Sequence, residues 1–419
     1  MEEKAYAQKP LQPSPLNGVY VARQPIFDVK EELYGYELLF RSGFNNIYDS
    51  SDGDYATGKT ILNSFIMLGL DPLTGGKLAF INFTKNLLLN EVATIFPREL
   101  LAVEVLENIE PDESVIEACK KMKKAGYLIV LDDFVFMPKF QPLIEIADII
   151  KVDFRISNSD AIHSLLSRLS SSKIRFLAEK VETKEEFIMA KEVGFAYFQG
   201  YFFSKPHIIS GREVPGYKLN YMQILREMNK AEADFDVLEH IIKRDMSLTY
   251  ALLKFINSAF FGFSAKIQSI KQAITLLGMN EFKKWVSLIA LTGMGNDKPE
   301  ELMVNSLIRA KFCEFMARKT NMKDKSSDLF LMGMFSMIDA FIDRPMQEIL
   351  GELPLSTPVK EALMGKENQF RDILDLVIAY EKGNWLIWGN YIKKLKLEES
   401  EFPDIYMSSI DWARKIFRE

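Results

Sequence analysis

A chain of 419 residues is too long for one ordinary domain, and 48% hydrophobic with 26% charged residues is the composition of a globular protein. The formal net charge is −6 with Lys and Arg spread along the chain, so no basic face points to nucleic acid. No run approaches the ~18 apolar residues of a membrane helix, so a soluble protein with no membrane partner is expected. Cys119 and Cys313 lie far apart without metal-type spacing and read as reduced thiols of a cytoplasmic protein.

Residues 1–17 are polar and Pro-rich, lack a signal-peptide core, and read as a disordered lead-in. Gly18–Asp28 and Leu33–Ser42 read as two strands with a charged turn between them. Asp54 is a candidate cap for a helix through Leu68. Lys77–Thr84 and Leu100–Glu107 read as strands, and Pro111–Ala125 as an amphipathic helix ended by Gly126. Tyr127–Phe134, YLIVLDDF, has the apolar run of a strand buried on both faces and then two adjacent carboxylates. Ala147–Arg155, Ile174–Glu182 and Phe195–Pro206 continue the series, with a helix to Val193 before the last. Alternating strands and helices over 18–206 predict a parallel sheet closed as a compact (β/α) barrel.

Polar residues interrupt these apolar strands at comparable positions. They are Glu37, Asn82, Glu104, Asp132, Asp133, Lys151, Glu179 and Gln199. A buried charge is costly unless it is paired or bound to a cation. Recurrence at matching positions implies convergence at one end of a barrel, the alternative being a structural ion-pair network. The cluster supplies carboxylate and amide oxygens, while His163, His207 and His240 lie outside these strands. An oxygen-only donor set suits Mg²⁺ or Mn²⁺ rather than Zn²⁺. Five carboxylates exceed the needs of one such ion. Two ions sharing Asp132 would use them, an arrangement suited to displacement at a phosphodiester. Lys151 is placed to steady an attacking water or developing negative charge.

Residues 18–206 resemble EAL domains, the phosphodiesterases that hydrolyse cyclic di-GMP to pGpG. The resemblance rests on ELL at Glu37–Leu39 with Arg41 after it, INFT with Asn82, EVLE with Glu104 and Glu107, and DDF at Asp132–Phe134. It continues in KVD with Lys151, AEKVET with Glu179, QGYFFSKP with Gln199, and ARQPIFD with Gln24. It implies that Glu37, Asn82, Glu104 and Asp132 hold one metal. Asp132, Asp133 and Glu179 would hold or orient a second metal and water. Glu37, Lys151 and Glu179 take the catalytic roles, Gln24, Arg41 and Gln199 contact the substrate, and Glu107 braces the loop after DDF. Two Mg or Mn ions are implied as cofactors, and a homodimer is one arrangement allowed.

The chain departs from the family after Asp133, where Val135-Phe136-Met137-Pro138 replaces the usual Gly-Thr-Gly loop, and at Lys180, where the family has glycine. These departures leave an alternative: a degenerate EAL domain that serves as a non-catalytic cyclic di-GMP receptor or a protein-interaction scaffold.

His207–Asn220 reads as a linker. From Tyr221 to Glu419 apolar residues recur at helical spacing and predict an all-helical bundle. Ile241–Gly262, with Asn257-Ser258, and Ile267–Gly278 resemble the HDOD domain. HDOD domains share the fold of HD phosphohydrolases without their metal-binding His and Asp, and here His240 is followed by Ile241. The expectation is a partner- or signal-binding half that regulates the barrel. It should pack on or near the barrel and control access to its mouth or its dimer surface.

Overall fold

The structure is a computed structural model. It describes residues 19–42, 70–132, 138–154, 173–200, 202–204, 216–228, 270–295, 297–353 and 355–418, with a few single positions between 230 and 267. The expected helix from Asp54, the three histidines, Asp133, and the apolar segment 135–137 lie outside the described residues.

Eight strands close a barrel in chain order: β1 Val19–Asp28, β2 Leu33–Ser42, β3 Leu78–Phe83, β4 Leu101–Val105, β5 Leu128–Leu131, β6 Ile149–Asp153, β7 Arg175–Glu179 and β8 Tyr197–Gln199. The expectation of an all-parallel sheet is corrected at β1, which runs antiparallel to both β2 and β8. The cause is local. Only four residues join β1 to β2, enough for a hairpin and far too few for a crossover. Asp28 Oδ1 accepts the backbone N–H groups of Lys30 and Glu32 and folds this turn. The remaining neighbours, β2 to β8, are parallel.

Crossover helices carry the end signals legible in the sequence. Helix α1, Glu113–Ala125, begins at Asp112, whose side chain accepts from Val115 N, and stops at Gly126 with φ 96°. Helix α2, Lys184–Val193, opens with a capping box between Thr183 and Glu186.

The barrel interior is layered. Ile26, Phe80, Ala102, Val130, Ile149, Leu177 and Tyr197 form one apolar floor. On β2 the corresponding place is Gly35, where a Cβ would lie 2.5 Å from the Leu78 carbonyl oxygen and 3.0 Å from the Phe80 ring. Side chains two apart on a strand share a face. The next position toward the mouth on each strand is therefore also inward.

The chain beyond residue 215 is helical among the described residues. Helix α3, Gly216–Met228, begins within the segment read as a linker. The longer helices after it are α4 Met279–Met294, α5 Glu300–Lys319, α6 Ser326–Phe335, α7 Gln369–Glu381, α8 Trp385–Leu395 and α9 Phe402–Arg418. Asn257 clamps the backbone at Ile267 in both directions, donating to its carbonyl at 2.8 Å and accepting its N–H at 2.7 Å. Phe312, Tyr380, Trp388 and Phe402 pack edge to face in the core. Among the described residues no helix is long and apolar enough to cross a membrane.

The helical region packs on the β1–β2 hairpin. Tyr20 sits against Trp385 and Trp388, with ring centroids 6.2 and 5.2 Å away. Farther along β1, Arg23 stacks over Tyr36 and pairs with Glu301 on α5 at 3.5 Å. Tyr36 Oη donates to the other Glu301 oxygen at 2.8 Å. All three residues are buried. Burial pushes the Glu301 carboxyl up, and Arg23 and the Tyr36 hydrogen bond pull it back.

Candidate functional site

Two residues beyond the apolar floor, the strands turn polar. β3 supplies Asn82, β4 Glu104, β6 Lys151, β7 Glu179 and β8 Gln199, while Asp132 follows the last residue of β5. Glu37 stands two beyond Gly35 on β2. Gln24 faces it across the β1–β2 ladder, and Ile26 is the partner of Gln199. The strand pleat thus sets one polar side chain from each of eight strands at the same level, at the C-terminal mouth.

Lys151 is the centre of this ring. Its fully buried ammonium lies 2.7 Å from Asp132, 3.0 Å from Glu179, and 3.2 Å from both Glu37 and Glu104. One cation therefore faces four carboxylates. Desolvation opposes the lysine charge, but the surrounding carboxylates outweigh it and hold the ammonium well above its usual range. Burial pushes Glu104 well above the usual carboxylate range. Lys151 counteracts this, and Glu37, Asp132 and Glu179 reinforce it. Burial likewise raises Glu179 to about 8, against the pull of Lys151. The ring relieves its charge excess by keeping protons on buried acids.

Oxygen acceptors remain in excess. Asn82 Oδ1, Gln199 Oε1 and both Glu104 oxygens are buried and accept no hydrogen bond among the described residues. Glu104 Oε1 is within ion-pair distance of Lys151 but not in hydrogen-bonding geometry. Such groups are costly to bury without partners, and a cation is the partner they lack chemically. Among the described residues no three acidic, imidazole or thiol side chains close into a metal cage, and the Lys151 ammonium lies between the four carboxylates. A divalent ion would compete with that ammonium and with the acid protons.

Other residues singled out in the sequence fall elsewhere. Arg41 reaches up the hairpin and donates to the Trp385 carbonyl at 3.2 Å. Glu107 is exposed just past β4, and the segment it is expected to brace lies outside the described residues. Lys180 adopts φ 57°, a left-handed conformation that suits the glycine it replaces, and pairs with buried Asp153 at 2.6 Å. Sequence reasoning passed over Asp153, Arg23 and Tyr36. Asp153 and Arg23 carried the same signal as the others, a charge inside an apolar strand.

A closed barrel with a polar, carboxylate-rich mouth, followed by a helical region, is the architecture of an EAL-like protein. The EAL domain model matches residues 80–206 and the HDOD domain model matches residues 214–343. "Uncharacterized protein YuxH" of Bacillus subtilis (strain 168) is 40% identical over 406 residues, covering 95% of this chain and 98% of that protein. "Cyclic di-GMP phosphodiesterase CdgJ" of Vibrio cholerae serotype O1 is 39% identical over 402 residues, covering 95% of this chain and 93% of that protein. Among solved structures, the calcium/cy-diGMP complex of Klebsiella pneumoniae BlrP1 aligns with TM-score 0.38 at 23% identity, covering 47% of this chain and 60% of that one. The chain belongs to the EAL–HDOD family of two-domain proteins.

Proposed function

We propose that the barrel mouth hydrolyses cyclic di-GMP to linear pGpG with the help of divalent Mg or Mn. The observation that carries this reading is the ring itself: four carboxylates and an amide around one lysine, with buried oxygen acceptors left over. The Vibrio cholerae relative, named a cyclic di-GMP phosphodiesterase, supports the substrate.

In this reading Glu37, Asn82, Glu104 and Asp132 hold one ion, and Asp132, Asp133 and Glu179 hold or orient a second. Such ions lower the pKa of a bound water and clamp phosphate oxygens. The chain's own residues do the rest. Lys151 Nζ steadies the water or the charge that develops on the phosphoryl oxygens. The Glu179 carboxylate orients the water. Gln24, Gln199 and Arg41 contact the dinucleotide at the rim. The helical region acts as a regulator, a role favoured by its seat on the hairpin that supplies Gln24 and Glu37.

The test is incubation of the full chain with cyclic di-GMP and Mg²⁺ or Mn²⁺, followed by chromatography. A peak of pGpG that disappears with chelator is expected. Cyclic di-GMP that binds but stays intact with either ion would make the protein a receptor instead.

A further inference from the structure

A run of hydrogen bonds connects the polar ring to the helical region. Lys382 caps the C-terminus of α7, and its carbonyl accepts from Gln24 Nε2 at 3.2 Å. Gln24 Oε1 accepts from Gln199 Nε2 at 2.9 Å. The same Gln199 nitrogen donates to Glu37 Oε2 at 2.6 Å. The direction of this chain follows from chemistry. A backbone carbonyl can only accept, so the NH₂ of Gln24 faces Lys382 and its oxygen faces Gln199. Gln199 must then present its NH₂, whose two hydrogens serve Gln24 and Glu37.

The consequence falls on Glu37. Oε2 is held by Gln199 and by Lys151 at 3.2 Å, whereas among the described residues Oε1 has only a long 3.4 Å contact from Asn82. One carboxylate oxygen is pinned, and the other is presented to the ring. At the far end, the α7–α8 turn is seated firmly on the hairpin. Gly383 has φ 63°, and a Cβ there would lie 2.8 Å from Leu39 Cδ1. Trp385 and Trp388 pack on Tyr20.

We infer that Gln24 is a positioning residue through which the helical region sets Glu37 Oε1 to receive a divalent cation. The inference rests on the reading of the mouth as a cation site. A displacement of the α7–α8 turn by about 1 Å breaks a hydrogen bond that starts at 3.2 Å, so movement in the helical region becomes a change in cation affinity.

The experiment is calorimetric titration of Mn²⁺ into the full chain, for wild type, Gln24→Ala, Gly383→Val and the double variant, with thermal melts to confirm folding. Val at a positive φ and against Leu39 displaces the turn without touching the ring. Trp385→Ala is the second route to the same displacement if Gly383→Val does not fold. Each single change should weaken Mn²⁺ binding about tenfold, and the double variant should bind no more weakly than Gln24→Ala alone, because both break one relay. Unchanged affinity in the turn variants, or additive losses in the double, overturns the inference. Wild type that binds no Mn²⁺ also overturns it. Wild type that shows this pattern yet leaves cyclic di-GMP uncut keeps the relay and removes the hydrolase.

Discussion

Two buried charge clusters lie on neighbouring strands of this barrel and differ in balance. At the hairpin–helix contact, Arg23 meets one carboxylate, Glu301, whose second oxygen takes the Tyr36 hydroxyl. In the mouth, Lys151 meets four carboxylates. In the first cluster Arg23 and Glu301 pair one to one, with Arg414 and Glu300 as further charges acting on Glu301, and the pair joins two surfaces. The second carries an excess that the fold offsets with protons, and a group that holds protons for want of cations is a group that can exchange them for cations. Burial alone therefore does not separate a structural pair from a candidate site; the ratio of acids to bases does.

The largest expected effect breaks the mouth. Glu37→Ala should lower cyclic di-GMP hydrolysis by about a thousandfold or more, the several kcal/mol that cation-held charge supplies, and Glu179→Ala nearly as much. Turnover assays with saturating Mg²⁺ read this directly. A Glu37→Ala protein of full activity would remove this ring from the chemistry.

A single substitution type sharpens the contrast between the clusters. Glu301→Gln leaves Arg23 buried without its counter-charge and should cost about 3–5 kcal/mol in denaturant unfolding. Glu104→Gln replaces an acid that burial already biases toward its neutral form, so the metal-free protein should change by less than about 1 kcal/mol. Equal losses at the two sites would show that the excess of acids in the mouth is not what distinguishes it.

The remaining contrast is in pH. Glu179 is raised from 4.5 to about 8 in the folded chain. The folded state then holds a proton that the unfolded state has released, so this contribution is complete below about 4.5 and is lost as pH rises through about 8. Metal-free stability should decline across that window, and saturating Mg²⁺ should flatten the decline because the ion takes the proton's place. A metal-free profile that rises from pH 5 to 8 would contradict the protonated mouth.

Much of this was legible in the chain because strand burial and side-chain alternation are local properties. β2 matches its expected span, Leu33–Ser42, and the other strands fall inside theirs, since apolar runs bounded by Gly, Pro and Asp carry their own ends. Glu37, Asn82, Glu104, Asp132, Lys151, Glu179 and Gln199 stood out because a charge or amide within an apolar strand needs a partner. Tertiary structure decided the rest. It reversed β1, because pairing direction depends on the length of the connection and on which edge closes the barrel. It chose which polar groups meet: Arg41 and Gln24, both read as substrate contacts, also find partners in the helical region, Arg41 at the Trp385 carbonyl and Gln24 at the Lys382 carbonyl. The contacts to Lys382 and Trp385 join residues more than 300 positions apart, and no local pattern encodes which surface of a helical bundle will settle on which edge of a barrel.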